Sequence, residues 1–403
     1  MLATLASIQF AHILDFMIMM PLGPILMREM AIDAHQFGLL VSAYTFTAAL
    51  AGIPVAIIAD RFERKRLLLA TFILFGLATL ACGLATSYIT LLAARAIAGA
   101  FGGVLGSMVQ TIVGDLIPYE RRGHASGIIM SAFSVSTVAG VPLSLFLANF
   151  YGWRFPFFLI AALSVVLLLL GVRHLPDLRG HLPSAVVSEN ERAHPLAAIV
   201  AVLKDTNHLR AYAFMALGIF SGFTVIPFFT VYATGNVGIR QEDIPYIYLA
   251  GGCTTFFTSR WIGRLSDVHG KVRLYRWVAI LSLVPLFIQT HLPPVPLWFM
   301  VAGSTLFFIL VPGRMVPVMA IMTSAVQPHL RGTFMAINAS VASLCSGLAA
   351  YFAGAMMTLD AGGKLVGYGN VGLLAMSMTL LAMVFVGSIK LHTTAIGDRL
   401  RND

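Results

Sequence analysis

The chain has 403 residues, of which 58% are hydrophobic and only 11% are charged. Soluble domains average about 25% charged residues, so this composition excludes an ordinary soluble globular protein. A formal net charge of +9 could indicate a nucleic-acid partner. The positions of the basic residues instead favour a membrane protein, and we predict a lipid bilayer rather than nucleic acid as the surroundings of the chain.

Apolar runs of about 18 residues or more follow one another along the chain, each long enough to cross the ~30 Å hydrocarbon core of a bilayer as a helix. Helices are expected because every backbone polar group must be hydrogen-bonded internally in lipid. We therefore predict an all-α membrane protein with twelve transmembrane helices. The predicted spans are roughly residues 5–27, 37–59, 67–86, 89–114, 124–149, 154–173, 211–234, 244–263, 274–291, 296–320, 333–357 and 370–390.

The basic residues between these spans are distributed unevenly. If both termini lie inside, the inner loops hold 19 of the 26 Lys and Arg residues, the outer loops hold four, and the helices hold three. Cytoplasmic loops of membrane proteins carry an excess of Lys and Arg. The bias therefore predicts a multi-pass protein of the cell inner membrane with both termini in the cytoplasm.

Two landmarks occur twice along the chain, which predicts an internal duplication. Asp60 precedes a basic run in GIPVAIIADRFERKR, and Asp267, 207 residues later, does so in GRLSDVHGKVR. The pairs Arg122-Gly123 and Arg331-Gly332 are separated by 209 residues. We predict two homologous six-helix bundles joined by a polar cytoplasmic linker. Their predicted bounds are residues 1–173, 174–210 for the linker, and 211–403.

The charged loop between the second and third spans, together with its second copy, resembles a motif of the major facilitator superfamily. That motif reads Gly-x-Leu-Ala-Asp-Arg-x-Gly-Arg-Lys. Residues 56–65 match its Asp-Arg and Arg-Lys elements but have Ala56 and Glu63 in place of the glycines, whereas residues 263–271 retain both glycines. The resemblance covers essentially the whole chain and implies a secondary transporter built from two six-helix bundles.

Two further motifs resemble a branch within that superfamily. The fourth span carries Arg95-x-x-x-Gly99, as the family does, and the fifth carries Gly-Val-Pro at 140–142, followed by Gly-Trp-Arg at 152–154. This pattern is similar to the antiporter signature of twelve-helix drug and sugar efflux proteins, including arabinose-efflux-like permeases. The fuller signature continues with glycines where this chain has Leu-Ser-Leu at 143–145.

The repeated aspartates predict a gate on the inner side of the membrane. Unpaired N–H groups at the start of a helix favour an anion, and the resemblance implies that Asp60 meets the helix starting near Arg331. Asp267 would meet the helix starting near Arg122 in the same way. Such contacts close the inner side and must break during alternating access. The alternative is that these loops only anchor the topology. The basic residues of the first loop assigned to the gate are Arg61, Arg64 and Lys65.

Asp15 is the only carboxylate deep within a predicted span. Ionisable residues inside the membrane are costly and by default functional, and a carboxyl group withdrawn from water takes up a proton more readily. We predict that Asp15 is a proton-coupling site, with a fixed ion pair as the alternative. His12 precedes Asp15 by three positions and shares its helix face. It is a weaker coupling candidate, the alternative being an ordinary core histidine.

Two arginines lie inside predicted spans beside small residues. Arg95 of the fourth span precedes a run of glycines, and Arg314 of the tenth follows Gly313. Arginine is charged at any physiological pH, so Arg95 is the natural partner of Asp15, and Arg314 can contact substrate in the cavity. The alternative for both is a structural arginine bonded to backbone carbonyls.

The first, fourth, seventh and tenth helices usually line the cavity in the superfamily. In this chain they contribute methionines and aromatic residues, which suit adaptable apolar binding. Plain packing is the alternative for each of them. The residues predicted to contact substrate are Met19, Phe228 and Tyr232, together with Arg314.

The predicted function is secondary transport. The chain lacks the Gly-x-x-x-x-Gly-Lys-Ser/Thr nucleotide-binding motif, and its three cysteines lack metal-ligand spacing, so we predict no enzyme activity, cofactor or metal. The resemblance implies a monomeric exporter that exchanges small organic molecules for protons. The alternatives are a proton-coupled uptake symporter, a facilitator, a lipid transporter and a non-transporting receptor or scaffold.

Overall fold

A computed structural model describes residues 1–58, 62–117, 122–176, 195–327 and 330–392 of the chain. These parts are almost entirely helical. The helices before the linker are α1 (Leu2–Ile18), α2 (Gly23–Glu29), α3 (Ala34–Ile58), α4 (Arg64–Leu84), α5 (Tyr88–Leu116), α6 (Arg122–Val135), α7 (Val141–Tyr151) and α8 (Phe155–His174). Those that follow are α9 (Pro195–Lys204), α10 (Thr206–Val225), α11 (Phe229–Tyr232), α12 (Ile244–His269), α13 (Lys271–His291), α14 (Leu297–Gly313), α15 (Met315–Ser324), α16 (Arg331–Ala355) and α17 (Tyr368–Phe385).

Many of these helices have the length and composition of membrane spans, so the predicted all-α membrane fold is confirmed. Within the described residues, nine helical spans are long and apolar enough to cross a membrane. The pair α1 and α2 would form a tenth, bent by 56° at its break. The count of twelve stays a prediction, with α3 and α12 as the long helices outside that set.

Prolines mark the places where the spans depart from a regular helix. The break between α1 and α2 contains Pro21, and Pro24 lies in the first turn of α2. Pro227 lies in the 3₁₀ turn that interrupts the seventh span. Proline has no N–H and its ring clashes with the preceding turn, so it removes a helical hydrogen bond and bends the chain. The first span is therefore bent, and the seventh departs locally from regular α-helix.

Two π-helical segments add further joints. Residues Ser136–Gly140 form one between α6 and α7, directly before Pro142, and Ala233–Val237 form the other after α11. A π-helical turn inserts one extra residue into the helix and is frequent at functional sites. The fifth and seventh spans thus carry an irregular turn along their length.

Helices α3 and α16 pack directly against each other and join the chain regions on either side of the linker. Ser42 Oγ donates a hydrogen bond of 2.8 Å to the Gly347 carbonyl. A Cβ added at Gly38 would lie 2.7 Å from the Ala350 carbonyl oxygen, so only glycine allows this approach. Small residues that bring backbones together are the usual means of packing helices in lipid.

Other contacts tie the two regions together near the same end of the bundle. Phe37 packs edge-on against Phe228 with ring centroids 5.6 Å apart. The side-chain nitrogen Nδ2 of Asn149 donates a hydrogen bond of 3.3 Å to the backbone carbonyl of Gln241. By the predicted topology these contacts lie on the outer side of the membrane.

Part of the predicted linker, and one connection between helices after it, are described. Helix α9 lies within the predicted linker, and α10 already begins at Thr206, five residues before the predicted start of the seventh span. A two-stranded hairpin, β1 (Thr358–Leu359) and β2 (Leu365–Val366), lies between α16 and α17. The Asn236 side chain accepts from the Leu365 N–H at 2.8 Å and donates to its carbonyl at 3.1 Å. This pair of bonds ties the hairpin to the seventh span.

Candidate functional site

A buried ion pair lies between α1 and α5. Arg95 Nη1 donates a hydrogen bond of 2.9 Å to Asp15 Oδ2 and a second, of 3.2 Å, to the Asp15 backbone carbonyl. Both residues are fully buried. Charge-assisted bonds of this length are strong, and breaking one partner of a buried pair leaves an uncompensated charge. The sequence prediction that Arg95 is the partner of Asp15 therefore agrees with the geometry.

Glycines on α5 and the ring of Tyr44 on α3 shape the surroundings of the pair. The guanidinium carbon of Arg95 lies 4.4 Å from the Tyr44 ring centroid, a cation–π contact. A Cβ at Gly102 would collide with the Tyr44 hydroxyl and would lie 2.7 Å from His12 Cδ2. Helices α1, α3 and α5 can therefore meet at this point only because α5 has glycine there.

Several polar atoms around the pair lack a hydrogen-bond partner among the described residues. They are Asp15 Oδ1, His12 Nδ1, Tyr44 Oη and Arg95 Nε. Buried polar atoms in proteins are normally paired with protein groups or with water. Four unpaired atoms around one ion pair leave donors and acceptors available to a water molecule, a proton or a small polar ligand.

His12 lies one turn from Asp15 but faces a different part of α5. Its ring centroid is 6.3 Å from that of Tyr44 and 6.2 Å from that of Phe75. A Cβ at Gly106 would lie 3.8 Å from His12 Cε1. His12 is therefore a neighbour of the ion pair within an aromatic setting.

Arg314 is another buried arginine, at the break between α14 and α15, and only 3% of its surface is exposed. Its Nη1 donates to Thr379 Oγ1 at 2.7 Å, and both terminal nitrogens lie 3.4 Å from Ser221 Oγ. Its Nε donates to the Val311 carbonyl at 3.2 Å. All these partners are neutral, in contrast to the carboxylate beside Arg95.

The predicted substrate-contacting residues Met19, Phe228 and Tyr232 belong to the packed interior in this conformation. Met19 and Phe228 are fully buried in one apolar cluster. The Tyr232 hydroxyl donates to the Leu292 carbonyl at 3.0 Å, and its ring lies 4.7 Å from that of Tyr368. Their role as cavity residues stays a prediction for another conformation.

The predicted gate residues lie at helix ends where they are described. Arg122 and Arg331 are the first residues of α6 and α16, as the repeated landmarks predicted. Asp267 is exposed, two residues before the end of α12. Asp60 and Arg61 lie outside the described residues, so their contact with the start of α16 stays a prediction. Arg64 begins α4 and is buried, and Lys65 follows it, half-buried.

Sequence reasoning missed the side chains that complete the two charged clusters. These side chains lie on other helices than the arginines. Tyr44 lies against Arg95, and the side chains near Arg314 are Ser221, Tyr275 and Thr379. The available signal was their polarity inside apolar spans. Among the described residues, His, Cys, Asp and Glu side chains form no group of three that could hold a metal ion.

Helices of membrane length packed around a buried ion pair define the class of the protein as a multi-pass membrane protein. The chain belongs to the Major Facilitator Superfamily, whose sequence profile matches residues 5–350. The resemblance found in the charged loops is thereby confirmed.

Curated relatives include proteins described as transporters of the same type. The uncharacterized MFS-type transporter YceJ of Bacillus subtilis (strain 168) is 24% identical over 332 residues, covering 82% of this chain and 83% of the relative. A probable sugar efflux transporter of Mannheimia succiniciproducens is 29% identical over 246 residues, covering 61% and 59%. Such relatives are consistent with the efflux-permease-like branch.

Solved structures of transporters share the fold. A bacterial homolog of the human lysosomal transporter Spinster, in an inward-facing and occupied conformation, superposes with a TM-score of 0.71 at 19% identity, covering 96% of both chains. A variant of the nucleoside transporter NupG gives a TM-score of 0.75 at 14% identity, covering 96% of this chain and 98% of its own. At these identities the likeness shows the fold alone.

Proposed function

We propose that the protein is a proton-coupled exporter of small organic molecules in the bacterial inner membrane, with both termini in the cytoplasm. The observation that carries the proposal is the fully buried pair of Asp15 and Arg95. A receptor or scaffold gains nothing from charges at that depth, since they are costly in lipid. A transporter that carries protons needs a group there that can exist with and without its charge.

The pair supplies such a group. Ionised Asp15 accepts the Arg95 hydrogen bond and neutralises the guanidinium. Protonation of Asp15 removes one charge of the pair, so Arg95 is left to interact with the Tyr44 ring or with an incoming polar molecule. Proton and substrate then compete for the same buried cation. Competition for one site is a simple basis for exchange, because each ligand favours a different state of the pair.

The gate converts this local exchange into movement across the membrane. In the proposed cycle Asp60 meets the start of α16 near Arg331, and Asp267 meets the start of α6 near Arg122. Both contacts use the positive end of a helix to hold a carboxylate. Opening of the inner side breaks both, while the joints at the prolines and π-helical turns accommodate the change.

Export is preferred to uptake because of the relatives. At least four sequence relatives are named probable sugar efflux transporters. They include one from Mannheimia succiniciproducens and one from Helicobacter pylori (strain HPAG1), and the latter is 25% identical over 237 residues. Their names support the direction of transport in this chain. Uptake symport, facilitated diffusion and lipid exchange are the outcomes that a direct measurement separates from export.

Proton movement during substrate flux tests the proposal. A thermal-shift screen of the detergent-purified chain against metabolites and antibiotics first identifies a substrate. The protein is then reconstituted in vesicles that contain a pH-sensitive dye, and a substrate gradient is imposed. We expect protons to move against the direction of substrate flow. Movement in the same direction would indicate a symporter, and no proton movement would contradict proton coupling.

A further inference from the structure

The cluster around Arg314 has one property that the Asp15–Arg95 pair lacks. Its cation is buried without an acidic partner among the described residues, and its side-chain partners are the hydroxyls of Thr379 and Ser221. A buried charge is normally paired or strongly solvated, because removing an ion from water costs several kcal/mol. The cluster therefore has an uncompensated positive charge.

No carboxylate among the described residues lies within hydrogen-bond distance of Arg314. The predicted spans after residue 210 contain no Asp or Glu. Asp15, the only deep carboxylate, already pairs with Arg95. A counter-charge for Arg314 must therefore come from a molecule that is not part of this chain.

A further donor without a partner lies within electrostatic range of the arginine. The Tyr275 hydroxyl of α13 finds no hydrogen-bond partner among the described residues, although only 1% of the side chain is exposed. The charge of Arg314 acts on this side chain. The Tyr275 ring is held edge-on against Phe214 with centroids 4.8 Å apart. A fixed ring thus presents an unused O–H group near a buried guanidinium.

From these groups we infer that Arg314, Ser221, Tyr275 and Thr379 form a binding site for an anionic oxygen group, a carboxylate or a phosphate, on the transported molecule. The inference rests on the proposed transport function and names the substrate class as small organic anions. The fork of an arginine matches two oxygens of such a group, and the unpaired Tyr275 hydroxyl adds a neutral donor. The Ser221 and Thr379 hydroxyls accept from the guanidinium and hold it in place. The four side chains come from four helices, α10, α13, α14–α15 and α17.

The surroundings of the cluster provide a way for a ligand to enter. Arg314 separates α14 from α15 between Pro312 and Pro317, so the tenth span has a joint at this residue. A Cβ added at Gly218, one turn before Ser221 on α10, would meet nothing within 4 Å. Open space therefore reaches α10 one turn from Ser221, and a bend of the tenth span at Arg314 would open the guanidinium to that space.

Thermal unfolding with matched probes tests this site. The detergent-purified full chain is titrated at constant ionic strength with benzoate and with benzamide, which share a ring and differ in charge, and separately with inorganic phosphate. Ligand binding to the folded state raises the unfolding temperature, and at a given ligand concentration a tighter ligand raises it more. We expect benzoate or phosphate to stabilise the protein saturably, and benzamide to have no effect. Two results would overturn the inference. One is an equal response to benzoate and benzamide with no response to phosphate, and the other is no response to either anion.

Two variants assign the response to the cluster. Tyr275→Phe removes only the unpaired hydroxyl and should weaken anion binding about tenfold, the scale of a hydrogen bond to a charged group. Arg314→Lys retains the charge but loses the fork, and should weaken binding as well. The control is Tyr212→Phe, whose hydroxyl donates to the Phe334 carbonyl at 3.0 Å in the same bundle. Parental anion affinity in Tyr275→Phe and in Arg314→Lys would place the anion elsewhere and contradict the site.

The assay separates this inference from the proposed function. Binding is measured without a proton gradient, so it does not depend on coupling through Asp15. A protein that exchanges protons for a neutral substrate and ignores both anions would overturn the anion site alone. A protein that binds benzoate through Tyr275 but moves no protons would overturn proton coupling alone.

Discussion

The guanidinium carbon of Arg95 lies 4.4 Å from the centroid of the Tyr44 ring, so the side chain that pairs with Asp15 also lies against an aromatic face. We expect this contact to keep the arginine in place if its carboxylate partner is protonated. A cation–π contact contributes about 0.5 to 2 kcal/mol, with the larger values in desolvated sites. Tyr44 is therefore expected to position Arg95 rather than to take part in proton transfer itself.

Substitutions at Tyr44 separate the ring from the hydroxyl. Tyr44→Phe should transport at close to the parental rate, because the hydroxyl has no partner among the described residues. Tyr44→Leu loses the aromatic face, and we expect lower transport together with a loss of stability of about 1 to 3 kcal/mol. Flux into proteoliposomes and thermal unfolding in detergent measure the two effects. Equal transport by both variants would show that the aromatic face does not position Arg95.

The contact between α3 and α16 predicts a strong effect of adding one methyl group. In Gly354→Ala the new Cβ would lie 2.7 Å from the Ala34 carbonyl oxygen, and a backbone atom cannot move aside as a side chain can. We expect a loss of about 1 to 3 kcal/mol in unfolding free energy. Gly332→Ala on the same helix is the control, since its Cβ would meet nothing within 4 Å. Similar unfolding temperatures for the two variants would contradict the tight helix contact.

The gate predicts that its aspartates matter for transport but not for insertion. Asp60→Asn and Asp267→Asn should reach the membrane at parental levels and show reduced flux, because a neutral amide is held less strongly by a helix start. Glu242→Gln, at an exposed carboxylate near the opposite end of α12, is the control. Normal flux in both aspartate variants would leave only the anchoring role for these loops.

The membrane class could be predicted because the lengths of the apolar runs and the charges of the loops are read directly from the sequence. The joints were missed, although their signals are present. The sequence predicts one continuous first span, whereas in the structure the prolines Pro21 and Pro24 lie where α1 and α2 meet at a bend of 56°. A hydropathy average does not register one missing N–H group, so the apolar run looked continuous.

The charged residues of the site could be predicted individually because ionisable groups are rare in lipid. A contact between two of these residues could be predicted only for Asp15 and Arg95, because Asp15 is the one carboxylate deep within the predicted spans. The surroundings of Arg314 could not be predicted. Ser221 and Thr379 lie 93 and 65 residues from it, and only the packing of α10 and α17 against the tenth span brings them together.

The central claim is that Asp15 couples proton movement to transport. Its most direct test is substrate accumulation in proteoliposomes with and without an imposed pH gradient, comparing the parent chain with Asp15→Asn. An asparagine retains the shape of the side chain but cannot take up and release a proton in the physiological range. The account predicts that Asp15→Asn loses gradient-driven accumulation and still exchanges substrate passively. If Asp15→Asn concentrates the substrate as well as the parent does, Asp15 is a fixed structural ion-pair partner and the account is wrong.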